Sequence, residues 1–357
     1  MTSTKSDEMI RLAMLKQIIG ETGPQSSNKC FQLGVEAMDD AALLRLSDTE
    51  SLVIATDFIR GSGFYLFQLG YLNYFDVGYY LIAANVSDIA AMGAIPLGLM
   101  NVVRYTDGMT DEEFCQVFRG MKAAADDFGV WIVGGDIGGH SSDVFVATAI
   151  GIVTTDTVLL RRNVKDGDLL CVTGTIGLPI TALTYFKKAK PQGFSMTEQE
   201  EERILMSWKR PKPRIKEGRL LSENRIANGC QDVSDGLQAT IEQMSAISGK
   251  TFTAYADRLP IDITTHKLAD FLKVDPVRIA ISASVDFELM FTISAANESH
   301  CRRLFEEEGL GFTVIGQVNS EGKNLLVTPD GQLTNLPGMA WKQQTGDFLA
   351  DIIGRSS

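Results

Sequence analysis

Basic residues are scarce in this sequence. The 357-residue chain has 33 Lys and Arg against 45 Asp and Glu, a formal net charge of −12. Binding nucleic acid through its phosphates needs a Lys/Arg surface, so this balance argues against a nucleic-acid partner. Only three histidines are present, which leaves few candidates for a histidine-based triad or a multi-histidine metal site. We therefore expect the chemistry to use carboxylates.

Several familiar signatures are also missing. The five cysteines are scattered, odd in number and without a C-x-x-C pair, so we expect reduced structural thiols rather than a zinc site or a disulfide framework. The chain contains neither G-x-x-x-x-G-K-[ST] nor G-x-G-x-x-G, which excludes a P-loop and a dinucleotide fingerprint. A nucleotide site in this chain must be of another kind.

Targeting and membrane segments are not indicated either. The first 20 residues mix charges such as Asp7 and Arg11 with apolar residues, and lack the roughly 7 to 15 apolar residues of a signal peptide. The longest apolar stretch, residues 77–100, carries Asp88 near its centre, which favours a buried helix with one functional carboxylate over a membrane span. We expect a cytoplasmic protein without membrane association.

Strand-like and helix-like segments alternate along the chain, as is typical of an α/β or α+β protein of two lobes. The pattern predicts helices over 75–91, 111–128 and 215–221, and strands over 51–54, 97–104, 130–133, 144–153 and 169–172. The polar residues 187–202 are interpreted as a surface insertion. We place the domain boundary near 156–163.

Aspartates occur among small or apolar residues in five segments: 37–42, 55–57, 85–94, 134–136 and 232–236. Surface aspartates ordinarily have polar neighbours. Taken singly, Asp57 or Asp235 is equally well explained as a helix N-cap or a turn residue. If several converge, two like charges about 4 Å apart cost roughly 4 kcal/mol at an effective dielectric near 20, so divalent cations are needed. Magnesium suits such oxygen ligands and bridges carboxylates to phosphates, which predicts a polyphosphate substrate.

The order of these motifs resembles the thiamine-monophosphate kinases, within the aminoimidazole ribonucleotide synthetase-like superfamily of ATP-binding proteins. The segment 39–42 resembles G-D-D-A-A with Met38 in place of its glycine, and 85–94 is similar to N-L-S-D-L-A-A-M-G-A. Further similar segments are 55–57 (T-D), 134–136 (G-G-D-T), 161–168 (R-S-G-A-x-P-G-D), 172–177 (V-T-G-T-L-G), 211–214 (P-x-P-R) and 232–237 (D-I-S-D-G-L).

The resemblance implies a two-domain aminoimidazole ribonucleotide synthetase-like fold. Residues 1–157 would form an ATP- and metal-binding domain that pairs its sheet with that of a second subunit in a homodimer, and residues 158–357 an α/β domain that closes the cleft. The implied magnesium ligands are Asp39, Asp40, Asp57, Asp88, Asp136 and Asp232. The implied nucleotide-binding residues are Thr56, Gly134, Gly135, Asp136, Arg161 and Ser234, with the 134–136 segment as a loop. Asp235, beside the phosphoryl acceptor, and Asp88 are the implied catalytic residues, and no covalent intermediate is required.

Segments expected near the acceptor depart from the family pattern. The family's V-E-G-V-H-F reads Ile59-Arg60-Gly61-Ser62-Gly63-Phe64 here and lacks the histidine, and its G-G-E-D-Y-E-L reads 283–289 with Val285 in place of the first acid. Its C-terminal G-[YW]-D-H-F has its best counterpart in 344–348. These departures predict weak or absent activity on thiamine monophosphate compared with another acceptor.

Three functions therefore stay open. The first is ATP-dependent phosphorylation of thiamine monophosphate to the diphosphate. The second is ATP-dependent activation of a different small-molecule acceptor, which Arg60 in place of an acid slightly favours. The third is a nucleotide-binding scaffold without turnover, which Val285 permits and the intact aspartate set disfavours.

Overall fold

The computed structural model describes residues 14–15, 31–34, 37–339 and 348–353. Its first sheet has six strands: β1 (Phe31–Leu33), β2 (Ala42–Arg45), β3 (Glu50–Ile59), β4 (Ile95–Tyr105), β5 (Trp131–Gly139) and β6 (Val144–Thr154). Their order is β1-β2-β3-β6-β4-β5. β4 and β5 are parallel, and the other neighbours are antiparallel.

A second sheet is built from the later part of the chain. Its strands are β7 (Leu169–Thr173), β8 (Ala227–Asp232), β9 (Thr251–Tyr255), β10 (Leu289–Ile293), β11 (Phe312–Asn319), β12 (Leu325–Val327) and β13 (Leu333–Asn335), in the order β13-β12-β9-β11-β7-β10-β8. The two sheets, with their helices, give the mixed helix and sheet content expected of a two-domain α/β (α+β) protein.

The α-helices are Tyr65–Gln68, Tyr74–Ala91, Asp111–Phe128, Leu178–Thr184, Glu198–Lys209, Ile215–Glu223, Leu237–Ser248, Ile263–Leu272, Pro276–Ile281, Glu298–Glu307 and Phe348–Ile353. Across the described ranges, none combines the length and apolar character that crossing a membrane requires. The apolar stretch 77–100 is divided between a buried helix and β4.

The Tyr74–Ala91 helix is buried on nearly all sides. A capping box formed by Asn73 and Asp76 fixes its N-terminus. It crosses the Asp111–Phe128 helix so closely that a Cβ on Gly78 would lie 1.9 Å from the carbonyl oxygen of Val117. Glycine is therefore required at this crossing, and the contact fixes the axis of the helix that carries Asp88.

The first sheet has one covered and one exposed face. On β3, Val53, Ala55 and Ile59 are buried, whereas Thr56 and Phe58 between them are exposed. Because side chains alternate between faces along a strand, the buried set faces the Tyr74–Ala91 and Asp111–Phe128 helices and the exposed set faces away. Apolar side chains are thus left uncovered on the far face of this sheet.

Local signals predicted the long elements well. The Asp111–Phe128 helix is confirmed to the residue, because Thr110 and Glu113 form its capping box and Gly129 ends it in the left-handed region at φ 68°. Among the described cysteines, Cys115, Cys171, Cys230 and Cys301 are in no disulfide, and Cys30 lies outside the described residues.

The predicted surface insertion at 187–202 is wrong in part. A π-helical turn, Tyr185–Ala189, runs into this segment, and the Glu198–Lys209 helix starts inside it. Ala189 and Met196 are buried in the hydrophobic core that also contains residues of the first sheet. Polar composition concealed these apolar anchors, so the segment is packed rather than a free loop.

Candidate active site

Three aspartates from distant parts of the sequence come together between the two sheets. Asp40 precedes β2, Asp88 lies in the last turn of the Tyr74–Ala91 helix, and Asp232 ends β8. One carboxylate oxygen from each lies within 4.8 Å of those of the other two. We call this group the three-aspartate cluster; it joins two sites on the first half of the chain to one on the second.

Like charges and burial make the cluster unfavourable without a cation. Burial, followed by the charges of Asp57 and Asp232, raises the pKa of Asp88 well above its ordinary value. Burial and the neighbouring Asp40 raise the pKa of Asp232 to about 7, and the same two causes raise that of Asp39 to about 6. The folded chain therefore holds its carboxylates where their ionisation is resisted.

Two hydroxyl groups orient Asp232. Ser87, next to Asp88 on the helix, donates to Asp232 Oδ2 across 2.6 Å, and Ser234 donates to Oδ1 across 3.1 Å. Both hydrogen bonds favour the charged carboxylate and so lower the pKa of Asp232 against the effect of burial. Ser234 thus contacts a cluster carboxylate.

Arg161 holds the acidic loop that contains Asp40. Its guanidinium forms an ion pair with Asp40 and donates to the carbonyl oxygen of Met38 across 3.1 Å. Its backbone N–H donates to Asp39 Oδ1 across 3.2 Å. Asp39 is therefore placed beside the cluster, through a residue 122 positions away.

The donor set fits a divalent cation. The Oδ2 atoms of Asp39 and Asp40 are buried and have no hydrogen-bond partner within the described part of the chain. Buried carboxylate oxygens without partners are costly, and hard oxygen donors of this kind suit magnesium. The residues present therefore fit a magnesium ion chemically, and which of them bind it stays a prediction.

Asp57 lies near the cluster on β3, at an exposed position whose side chain points to the opposite face from Thr56 and Phe58. Its charge raises the pKa of Asp88, and its N–H donates to Asn85 Oδ1 across 2.9 Å. Asp235 is half-buried in the loop after β8, where burial raises its pKa while Gln243 donates to its Oδ2 across 3.5 Å. Neither is a helix N-cap, one of the two alternative explanations that the sequence allowed. Asp57 lies inside β3, whereas Asp235 does lie in a bend, so the second alternative, a turn residue, stays open for Asp235.

Thr56 and Asp136 are not brought into the cluster. The Thr56 hydroxyl lies 2.9 Å from that of Thr148 on the exposed face of the first sheet. Asp136 is exposed and forms an ion pair with Arg104, which lowers its pKa. Their roles in binding nucleotide or metal stay predictions.

The 134–136 segment was predicted as a loop, and this is wrong: it lies inside β5 and pairs with residues 100–102 of β4. A Cβ on Gly135, whose φ is 155°, would lie 1.9 Å from the carbonyl oxygen of Asn101. The glycine therefore permits a close strand contact in this structure. The role of Gly134 and Gly135 in binding phosphate stays a prediction.

Sequence patterns gave no role to three polar residues near the cluster: Asn85, Ser87 and Tyr80. Asn85 and Ser87 are fully buried on the helix of Asp88, and buried polar side chains beside a functional carboxylate are the signal that could have found them. Burial, then Asp57 and Asp235, raises the pKa of Tyr80 well above its usual value. Tyr80 also stacks on Trp208 with ring centroids 5.9 Å apart.

Known proteins share both the sequence and the fold of this chain. Residues 38–153 and 165–327 match the N-terminal and C-terminal domains of AIR synthase related proteins. The thiamine-monophosphate kinase of Pyrococcus horikoshii is 30% identical over 312 residues, 87% of this chain and 92% of that protein. Among solved structures, AaThiL complexed with AMPPCP and TMP has a TM-score of 0.74 and 21% identity, covering 96% of this chain and 100% of that one. Thiamine-monophosphate kinase from Stenotrophomonas maltophilia K279a has a TM-score of 0.70 and 27% identity, covering 90% and 97%. The chain belongs to the thiamine-monophosphate kinase family of AIR synthase related proteins.

Proposed function

We propose that this protein is an ATP- and magnesium-dependent kinase that transfers the γ-phosphoryl group of ATP to thiamine monophosphate, giving thiamine diphosphate and ADP. Its main support is the three-aspartate cluster with the neighbouring Asp39. The Oδ2 atoms of Asp39 and Asp40 are buried without a hydrogen-bond partner in the described residues, and such oxygens suit magnesium. The two substrates are those in the names of its relatives, a kinase of 30% identity and a fold neighbour complexed with AMPPCP and TMP. We place the reaction in the cytoplasm, within thiamine biosynthesis.

In this proposal Asp40, Asp88 and Asp232 would hold magnesium, with Asp39 and Asp57 beside them and Asp136 as a further predicted ligand. Bound magnesium supplies neutralisation of the triphosphate charge. Because phosphoryl transfer depends mainly on positioning and charge stabilisation, no covalent intermediate on the chain is needed.

The remaining site residues would position the two substrates. Arg161 is buried beside the cluster, where its forked donors suit phosphate oxygens. Ser234 orients Asp232, and Asp235, next to Ser234 in the same loop, would lie at the acceptor side of the transferred group. Thr56, Gly134 and Gly135 are the predicted further contacts to the nucleotide.

A homodimer is part of the proposal. The far face of the first sheet exposes 66% of Phe58, 51% of Met100 and 76% of Trp131, with Val133 also exposed. A contiguous apolar surface of this kind is usually covered by a partner. A second copy of the same face would cover it and would pair the outer strand β5.

A different acceptor is the second candidate, and one observation favours it. In the segment that replaces G-G-E, Ala283 and Ser284 are buried, and Val285 packs against the core. Ala283 N–H donates to the carbonyl oxygen of Met339 across 2.7 Å. This segment therefore contributes to packing, without the acidic side chain that the family pattern has there.

The test is incubation of the purified protein with ATP, magnesium and a panel of acceptors that includes thiamine monophosphate and thiamine, with products read by phosphorus NMR. Formation of thiamine diphosphate and ADP in equal amounts is the expected result. Turnover of ATP only with another acceptor would support the second candidate. Nucleotide and metal binding without any turnover would identify a scaffold.

A further inference from the structure

Arg161 is a basic side chain in direct contact with the acidic group. It lies in the turn Arg161–Asn163, ahead of the second sheet, and reaches back to the loop before β2. The exposed fraction of its side chain is 15%, and that of its ion-pair partner Asp40 is 0%. Both charges are thus largely removed from water. In the protein interior an unpaired charge is strongly unfavourable.

The charge of Arg161 acts on more than its ion-pair partner. It lowers, against the larger effect of burial, the pKa of each of five carboxyl groups: Asp39, Asp40, Asp88, Asp232 and Asp235. The guanidinium therefore stabilises the charged forms of the same carboxylates that a bound cation would stabilise. In the protein without metal it offsets part of the negative charge that this site concentrates.

The two oxygens of the Asp40 carboxylate have different surroundings. Its Oδ1 accepts from Arg161, while its Oδ2 is buried without a partner in the described residues. Asp40 is also the member of the three-aspartate cluster that contacts Arg161 directly. A divalent cation bound there would share Asp40 with the guanidinium and repel it, since two like charges would lie within a few ångströms.

We propose that Arg161 is the resident counter-ion of the three-aspartate cluster, that it competes with the divalent cation for Asp40, and that the guanidinium freed by this competition pairs with the nucleotide phosphate. The inference rests on the proposed function, because it requires the magnesium site. It makes metal binding and nucleotide binding cooperative: metal bound at the cluster leaves an unpaired buried guanidinium that an anion can satisfy.

The test is calorimetric titration of the nucleotide-free protein with MgCl2, comparing the wild type with Arg161→Gln, Arg161→Lys and Arg210→Met. Gln retains an amide donor for the Met38 carbonyl but removes the charge, so Arg161→Gln should bind magnesium roughly tenfold tighter. Lys retains the charge and should bind within about threefold of the wild type. Arg210→Met removes another Arg–Asp ion pair, that with Asp76, and should leave magnesium affinity unchanged.

Two further readouts separate a counter-ion from a structural link. In chelator, Arg161→Gln should have a lower melting temperature than the wild type. Saturating magnesium should reduce this difference in melting temperature. With magnesium saturating, a non-hydrolysable ATP analogue should bind Arg161→Gln at least roughly tenfold more weakly, because a charge-assisted contact to phosphate is lost.

Equal or weaker magnesium binding by a folded Arg161→Gln would overturn the inference while leaving the magnesium site in place. If Arg161→Gln does not fold, binding of the ATP analogue to the folded Arg161→Lys variant decides. An affinity for the analogue that magnesium increases supports the inference, and an affinity that magnesium does not increase overturns it. Absence of magnesium binding by every protein, wild type included, would overturn the inference together with the magnesium part of the proposed function.

Discussion

The carbonyl oxygen of Met38 accepts a hydrogen bond from the Arg161 guanidinium across 3.1 Å, and Met38 has a φ of 53°, in the left-handed region. Few side chains adopt this conformation without cost. The related motif G-D-D-A-A has glycine at this position. The left-handed conformation explains that preference, because glycine adopts it without steric cost. The left-handed turn directs the following pair, Asp39 and Asp40, toward Arg161.

Replacing Met38 should reveal the backbone strain. Met38→Gly and Met38→Ala both remove the half-buried side chain, but only glycine relieves the left-handed conformation. We expect Met38→Gly to unfold with a free energy about 1 kcal/mol higher than Met38→Ala, measured by urea denaturation. Equal stability of the two variants would show that φ at this position carries no strain.

Asp88→Asn should abolish magnesium-dependent ATP use, because it removes one charge of the cluster while keeping the volume. In chelator at about pH 8 the same variant should be more stable than the wild type, by on the order of 1 kcal/mol, because the free-energy cost of burying the Asp88 carboxyl group beside other carboxylates is removed. Turnover measurements test the loss of ATP use, and thermal melting in chelator tests the gain in stability. Near-normal turnover by a well-folded Asp88→Asn would remove Asp88 from the site.

The stability of the metal-free protein should fall as pH rises from about 4 to about 7. The pKa values of Asp39 and Asp232 are raised to about 6 and about 7 from the ordinary 3.8, so in this window the folded state binds more protons than the unfolded state. Stability therefore decreases with pH there, and magnesium affinity increases as the carboxylates ionise. Urea unfolding in chelator measures the slope.

Asp232→Asn supplies the control for this pH dependence. Without the ionising group at 232, the decline in stability between about pH 5 and about pH 7 should be shallower than in the wild type. A slope unchanged by the substitution would mean that Asp232 titrates near its ordinary pKa.

The exposed face of the first sheet should carry the dimer contact. Light scattering at micromolar concentration is expected to give a homodimer for the wild type and a monomer for Trp131→Glu, because a buried charge at the centre of an apolar contact is unfavourable. Leu333→Glu changes a residue that is 64% exposed on β13, in the other sheet, and should remain dimeric. A monomeric wild type would contradict the contact.

Steady-state kinetics with thiamine monophosphate should show formation of thiamine diphosphate, but with slow turnover and a Michaelis constant well above the low micromolar range. The missing histidine and the acid replaced by Val285 each leave a polar group of the acceptor without a partner, at roughly 1 to 3 kcal/mol each. ATP binding should be less affected, since the cluster aspartates and Arg161 are present. A turnover of several per second with a Michaelis constant in the low micromolar range, ordinary values for a dedicated enzyme, would contradict the prediction.

The sequence was most informative where the signal is local or the motif is long. The Asp111–Phe128 helix was predicted from its residue pattern, and in the structure the capping box at Thr110 and the left-handed Gly129 fix its two ends. In the segment 85–94, a carboxylate within an apolar helix predicted a functional role for Asp88, and the fold places this carboxylate in the three-aspartate cluster. Asp40 and Asp232 were predicted as ligands from the resemblance, and the fold brings them together with Asp88.

What could not be read locally depends on pairing across the chain. That Gly135 lies against Asn101 follows from the register of β4 and β5, which the glycine pair alone does not specify. The Arg161–Asp40 ion pair spans 121 positions, and a sequence gives no distance between such residues. The unpredicted π-helical turn Tyr185–Ala189 depends on packing that polar composition conceals.

The three-aspartate cluster draws two members from one half of the polypeptide and one from the other. A fragment of residues 1–157 would keep Asp40 and Asp88 and lose Asp232, Arg161 and the Ser87–Asp232 hydrogen bond. Under the proposed function, neither half alone would be a complete catalyst. Recombination that exchanges one half for that of a distant homologue would therefore have to preserve the contacts between Asp40, Asp88 and Asp232 as well as each hydrophobic core.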